Sequence, residues 1–179
     1  NNSYKITKEE FDIWIKILNK VLNSTLLLLI SKEEMKENII NYLKKNNIEP
    51  TRIVFLKKID FNKHLSRHSL ADLFLDSFNC NAHTSAVDAL WAGLPILTKV
   101  GNSFSSRICG SLLNYFKLDE LVTSTHEQYI SKAVELAKNP KKYSKIKQKL
   151  IDCKDAEEYF ATESYTKNLE KAYKKIHQM

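Results

Sequence analysis

The sequence predicts an α/β fold: a parallel sheet with helices on both faces. Short apolar runs at residues 25–30, 53–56, 73–75, 96–98 and 121–122 are separated by longer stretches with helical spacing. Within each run successive positions are apolar, the mark of strands buried on both faces and hence of a parallel sheet. Strand and helix alternate through residues 1–125, so neighbouring strands must be joined by crossover helices.

Each element has a local cause. Thr7-Lys8-Glu9-Glu10 is a capping box, in which the Thr hydroxyl and the Glu carboxylate each take up an unpaired backbone N–H. Phe11, Trp14, Ile15, Leu18 and Leu22 follow at helical spacing. After the first strand, Ser31-Lys32-Glu33-Glu34 reads as a second capping box, opening a helix through Met35, Ile39, Ile40 and Leu43. Asp60 can cap a helix carrying His64, Leu65 and Arg67, and residues 84–92 form a helix stopped by Gly93 and Pro95. Asn102 or Ser103 starts a helix through Ile108, Leu112 and Phe116. From Thr125 the pattern is helical only: Thr125 with Gln128 makes a capping box, and Pro140 takes the first position of the next helix. The reading is therefore one α/β domain over residues 1–125, with a C-terminal helical extension over 126–179 packed on it.

Composition narrows the function. The 179 residues are 43% hydrophobic and 27% charged, as in a globular chain with a real core. The 3 glycines, Gly93, Gly101 and Gly110, stand too far apart for a Gly-rich phosphate loop. The formal net charge is +7, from 25 lysines and 3 arginines against 21 acids. With 15 Asn and 16 Ile, this lysine excess points to an AT-rich, bacterial coding sequence more than to a nucleic-acid surface, where Arg would be expected. Lys138, Lys141, Lys142, Lys145, Lys147 and Lys149 run without an acid and read as a solvated helix face, with a polyanion contact as the alternative. Cys80, Cys109 and Cys153 make no CxxC pair, so reduced thiols in the cytoplasm are expected. No membrane span is expected, since the longest apolar run is residues 26–30. The chain starts at Asn1 without Met, and an upstream portion is expected.

In an open parallel sheet, ligands sit beyond the C-terminal ends of the strands. The richest such junction follows strand 73–75, where a polar loop enters a helix at His83-Thr84-Ser85 with Asp88 one turn on. The first N–H groups of a helix are unpaired and its dipole end is positive, so this start can hold an anion without glycines. The plain structural alternative has Thr84 as an N-cap and Asp88 as an acid complementing the dipole. A second candidate is the helix with His64, Arg67 and His68, where an imidazole can stack on a base and a guanidinium can bond its carbonyl. Lys5 would face the strand ends if the first helix packs on the sheet. No nucleophile elbow, metal-binding pair or glycosidase-like carboxylate pair is evident.

The run Cys80-Asn81-Ala82-His83-Thr84-Ser85, followed by Asp88 and Leu90-Trp91-Ala92-Gly93 with Pro95, resembles the C-terminal catalytic lobe of the O-GlcNAc transferase family (a glycosyltransferase family 41-like pattern). Asn2-Ser3-Tyr4-Lys5-Ile6, His64-Leu65-Ser66-Arg67, Ser105-Ser106-Arg107 and Leu118-Asp119-Glu120-Leu121-Val122 fit the same family in order, so the resemblance spans nearly the whole chain. Departures fall at Ala82 for Gly, Ser85 for Thr, Asn2 for Gln, and Phe61 where animal members carry a basic residue.

The resemblance implies the Rossmann-like, C-terminal nucleotide-sugar lobe of a GT-B enzyme. That enzyme would transfer GlcNAc from UDP-GlcNAc to Ser/Thr of an acceptor protein or peptide, with inversion and without a metal or a cofactor beyond the donor. By position, Lys5 contacts the diphosphate and is the expected catalytic residue, while Asn2, Cys80 and Asn81 belong to the donor pocket. His64 lies against uracil, Arg67 helps read it, His83, Thr84 and Ser85 hold the pyrophosphate and sugar side, and Asp88 holds the ribose. The partner lobe and helical repeats of the family lie outside these residues, and the lobe alone is expected to be inactive. The competing expectations are a UDP-glucose-dependent protein N-glycosyltransferase and a non-catalytic nucleotide- or protein-binding module.

Overall fold

The computed structural model describes residues 3–155 and 161–178. Its elements alternate as the apolar runs dictate: α1 (Lys8–Lys20), β1 (Leu26–Leu29), α2 (Glu33–Lys45), β2 (Ile53–Leu56), α3 (Phe61–Ser66), β3 (Phe74–Leu75), α4 (Thr84–Trp91), β4 (Ile96–Lys99), α5 (Ile108–Tyr115) and β5 (Val122–Thr123). The helices α6 (His126–Lys138), α7 (Pro140–Asp155) and α8 (Thr162–His177) follow. All strand pairs are parallel, so every strand delivers its C-terminal end to the same side of its ladder.

Instead of one continuous sheet, the strands form a two-stranded ladder β1-β2 and a three-stranded ladder β3-β4-β5. β3 is only two residues long, which leaves little backbone for a second ladder on its other edge. The ladders are joined through side chains: Leu28 and Ile53 of the first share a buried cluster with Leu97 of the second, packed by Trp14, Ile39, Leu43 and Tyr129.

β4 shows why its sequence is apolar at successive positions. Leu97 enters that cluster, with α1, α2 and α6. Ile96 enters a second cluster, with Ala86 and Leu90 of α4, Leu113 of α5, and Ile146 and Leu150 of α7. Pleating sends neighbours to opposite faces, so β4 is covered on both. β2 lies at the edge, and its Val54 is exposed. α8 contains no buried residue.

Several caps form as the sequence dictates. Asp60 accepts from the Lys63 N–H at 3.1 Å, Thr125 from the Gln128 N–H at 3.2 Å, and Asn139 from the Lys142 N–H at 3.1 Å. α2 begins one residue later than the Ser31 box requires. That helix starts at Glu33 with Lys32 at the N-cap, and Glu33 pairs with Lys36 at 2.8 Å, so the first-turn acid is held by an ion pair within the helix. Ser103 caps a short 3-10 turn, Phe104–Ser106, ahead of α5. Gly93 has φ +77° and ends α4, where Leu94 N–H returns to the Ala89 carbonyl at 2.9 Å.

Gly110 sits where α5 crosses the sheet, and a Cβ there would lie 2.7 Å from Val100 Cγ1. Gly110→Ala would gain up to about 1 kcal/mol of helix propensity but lose about 1–3 kcal/mol to overpacking. The expected net effect is a lower urea midpoint; an unchanged or higher midpoint would refute this account of the packing.

Candidate functional site

The loop between β3 and α4 is built around a buried carboxylate. Asp76 is fully buried; its Oδ1 accepts from the Ser77 N–H at 2.9 Å and the Ala82 N–H at 2.7 Å. Its Oδ2 accepts from the Thr98 hydroxyl at 2.7 Å. Tyr129 donates to the Asp76 carbonyl at 3.1 Å. Burial, with the nearby Asp76 charge, pushes both the Cys109 thiol and the Tyr129 phenol well up, so both stay neutral beside it.

The rest of the loop is held from two sides. The Ser77 hydroxyl donates to the Cys80 carbonyl at 2.7 Å, and the Asn81 amide to the Ser77 carbonyl at 2.7 Å. From the segment after β4, Ser105 donates to the Asn79 carbonyl at 3.1 Å and accepts from the Asn81 N–H on its own carbonyl at 2.9 Å. From the chain start, Lys5 Nζ donates to the Asn81 carbonyl at 2.9 Å. Glu10 completes the clamp. Its Oε2 takes the Thr7 N–H at 2.8 Å and the Thr7 hydroxyl, and its Oε1 takes the Phe78 N–H at 3.0 Å. Burial pushes the Glu10 carboxyl up, but the bonds from Thr7 and the Phe78 amide outweigh it and leave it below its ordinary value.

This loop delivers α4. His83 occupies the N-cap position and no side chain caps the helix; Thr84 is exposed and Ser85 half-buried at its first two positions. Two buried polar atoms lack a partner here, Asn81 Oδ1 and His83 Nε2. Such atoms normally find one, so this corner is the part of the loop left able to bond something else. One turn on, Asp88 Oδ2 lies 3.9 Å from His64 Nε2 on α3. Arg67 Nη2 is 2.9 Å from His64 Nδ1, and Arg67 Nη1 donates to the Lys57 carbonyl at 3.0 Å. Burial first, then the positive surroundings of His68 and Arg67, hold the His64 imidazole below its ordinary value, with Asp88 opposing.

The structure thus brings Lys5 to Asn81 at the loop, Arg67 to His64, and His64 to Asp88 on the helix that the loop starts. Asn2 lies outside the described residues. Phe61, on the first turn of α3, is exposed. Among the described residues no group of His, Cys, Asp or Glu side chains could hold a metal ion, and no helix is long and apolar enough to cross a membrane. Sequence reasoning missed Asp76 and the second role of Glu10. The available signals were an acid directly after an apolar strand, and a capping-box Glu on the helix face of Ile13 and Trp14.

The family model for glycosyl transferase family 41 matches residues 1–169. The chain belongs to that family. It is 34% identical over 170 residues to a UDP-N-acetylglucosamine–peptide N-acetylglucosaminyltransferase of Caenorhabditis elegans, covering 95% of this chain and 15% of that protein. A probable enzyme of the same description from Arabidopsis thaliana, SEC, is 33% identical over 177 residues, covering 98% and 18%. A solved mutant of Thermobaculum terrenum O-GlcNAc transferase superposes with TM-score 0.90 at 26% identity, covering 98% of this chain and 34% of that one. This family 41 chain therefore spans under a fifth of those two relatives and about a third of the solved neighbour.

Within the family 41 chain, Asp76→Ala strands two amides and a hydroxyl, and is expected to cost about 3–5 kcal/mol. Asp76→Asn should cost less, because an amide oxygen still accepts from Ser77 and Ala82; equal losses by urea denaturation would refute the network. A carboxyl held below its ordinary value takes up a proton on unfolding. Glu10 therefore contributes stability that is present above its ordinary 4.5 and lost as pH falls through its folded value. Glu10→Gln should lower stability at neutral pH and flatten this acid limb, as measured by urea midpoints across pH.

Proposed function

We propose that this chain is the donor-binding lobe of a protein O-GlcNAc transferase that takes UDP-GlcNAc and glycosylates Ser or Thr of an acceptor protein. The observation that carries the reading is the α4 start. Its helix terminus has no side-chain cap, begins with Thr84 and Ser85, and follows the Asn81 carbonyl that holds Lys5 Nζ at 2.9 Å. Unpaired N–H groups, two hydroxyls and an ammonium together suit a diphosphate. The names of the matched relatives support the choice of sugar and acceptor.

In this reading the acceptor hydroxyl oxygen bonds to the anomeric carbon as the bond to the β-phosphate oxygen breaks. The electron pair leaves with UDP, the hydroxyl proton passes to a general base or solvent, and the anomeric configuration inverts. Negative charge develops on the departing diphosphate, where Lys5 and the α4 terminus stabilise it. His64 lies against the base, Arg67 stands beside it, and His83, Cys80 and Asn81 face the diphosphate and sugar side. Asp88 takes the ribose, and no metal or further cofactor enters. The reaction needs a facing lobe, so the isolated chain binds UDP without turnover. A bacterial, cytoplasmic protein with free Cys80, Cys109 and Cys153 fits the same reading.

Calorimetric titration with UDP tests it. The wild-type chain should bind, and Lys5→Ala should weaken binding by about tenfold or more, the worth of one charge-assisted hydrogen bond. Absence of UDP binding at millimolar concentration in the full-length protein would overturn the proposal.

A further inference from the structure

We propose that Arg67 is a positioning residue for His64, locking its imidazole as the neutral tautomer that carries the proton on Nε2 and aims it at Asp88. The argument rests on which partners can donate. Arg67 Nη2 lies 2.9 Å from His64 Nδ1. A guanidinium has donors only and does not lose its proton in proteins, so His64 Nδ1 must be the acceptor. The ring's one remaining proton sits on Nε2, which faces Asp88 Oδ2 at 3.9 Å.

Arg67 is itself fixed. Its Nη1 donates to the Lys57 carbonyl at 3.0 Å, one residue beyond β2, so the lock is referred to the strand end. His68 is set the opposite way: its Nδ1 faces the His64 carbonyl at 2.9 Å, and a carbonyl only accepts, so there the proton is on Nδ1. The two rings meet edge to face, with centroids 4.8 Å apart at 75°, so the orientation of each restrains the other. The burial and positive neighbours that hold His64 neutral act in the same sense.

The inference rests on the nucleotide reading for its use and deepens it. A neutral ring keeps a face for stacking on a base, and its edge gains a fixed donor. A hydroxyl about 2.8 Å from both Nε2–H and the Asp88 carboxylate would accept from one and donate to the other, as a ribose hydroxyl can. Arg67 then acts on nucleotide affinity through His64, with one Nη1–H spent on the Lys57 carbonyl and one Nη2–H on Nδ1.

Long-range proton–nitrogen NMR correlations on the 15N-labelled chain, without ligand, test the lock. The His64 signals are assigned by their loss in His64→Gln. The expected wild-type pattern is an unprotonated Nδ1 and a protonated Nε2 for His64, with Nδ1 protonated for His68. Arg67→Met should abolish the fixed His64 pattern and weaken UDP about tenfold, while Arg67→Lys, which restores a donor, should recover part of both. A wild-type His64 protonated on Nδ1, or a His64 pattern unchanged in Arg67→Met, would overturn the proposal. If the pattern holds while wild-type protein binds no UDP, the lock stands and the nucleotide reading fails. If UDP binds and the pattern is absent, the lock fails alone.

Discussion

Burying a carboxylate is costly unless donors surround it, and the β3–α4 loop is organised around meeting that demand for Asp76. Satisfying Oδ1 requires the Ser77 and Ala82 amides to converge on one oxygen, which curls residues 76–82 into a closed turn. Satisfying Oδ2 requires Thr98, whose carbonyl in turn accepts from the Thr123 hydroxyl at 2.8 Å. One buried charge therefore links β3, β4 and β5 at the strand ends, and Tyr129 adds α6. The place where α4 begins follows from this closure, because Ala82 immediately precedes His83 at the N-cap.

Glu10 does for the chain start what Asp76 does for the sheet. A capping-box carboxylate usually spends itself on its own helix. Here one oxygen serves Thr7 and the other reaches the Phe78 amide across the loop, so α1 and the 76–83 loop share an anchor. Lys5, just before Thr7, is thereby held near enough to bond the Asn81 carbonyl. Two contacts far apart in sequence thus fix a cation beside a helix terminus. That arrangement is preorganised: the ammonium and the helix terminus are held in place by the protein's own bonds.

The fold class was legible because it rests on periodicity. Ile96 and Leu97 serve opposite clusters, and that demand is written as two adjacent apolar residues. Gly93, Asp60 and Thr125 were legible because a backbone conformation or an orphan amide leaves a narrow choice of residue. Ser31 misled because a capping box is a local pattern, and α2 starts one residue later, with Lys32 at the N-cap. Asp76 and the reach of Glu10 were not legible, since both depend on amides that come close only after the ladders form. Among the expected site residues, His64, Arg67 and Asp88 were flagged by type and spacing, but the direction of the Arg67 fork depends on where the Lys57 carbonyl ends up. No one-dimensional pattern encodes that.

Net charge and site charge separate in this molecule. Within the acid-free lysine run of α7, Lys142 pairs with Glu135 and Lys149 with Glu120; exposed pairs of this kind contribute little. At physiological ionic strength, charges beyond about 8 Å through solvent are largely screened. Solvent-exposed lysines of this kind are therefore screened from more distant sites. Lys5 differs because it is half-buried and tied to the loop by a bond of 2.9 Å, so its field acts over a short distance through less solvent. In the proposed reading, a chain with 3 glycines holds its diphosphate at a helix start instead of a Gly-rich loop. A buried carboxylate sets the helix start, a second one delivers the lysine, and the helix amides supply the remaining donors.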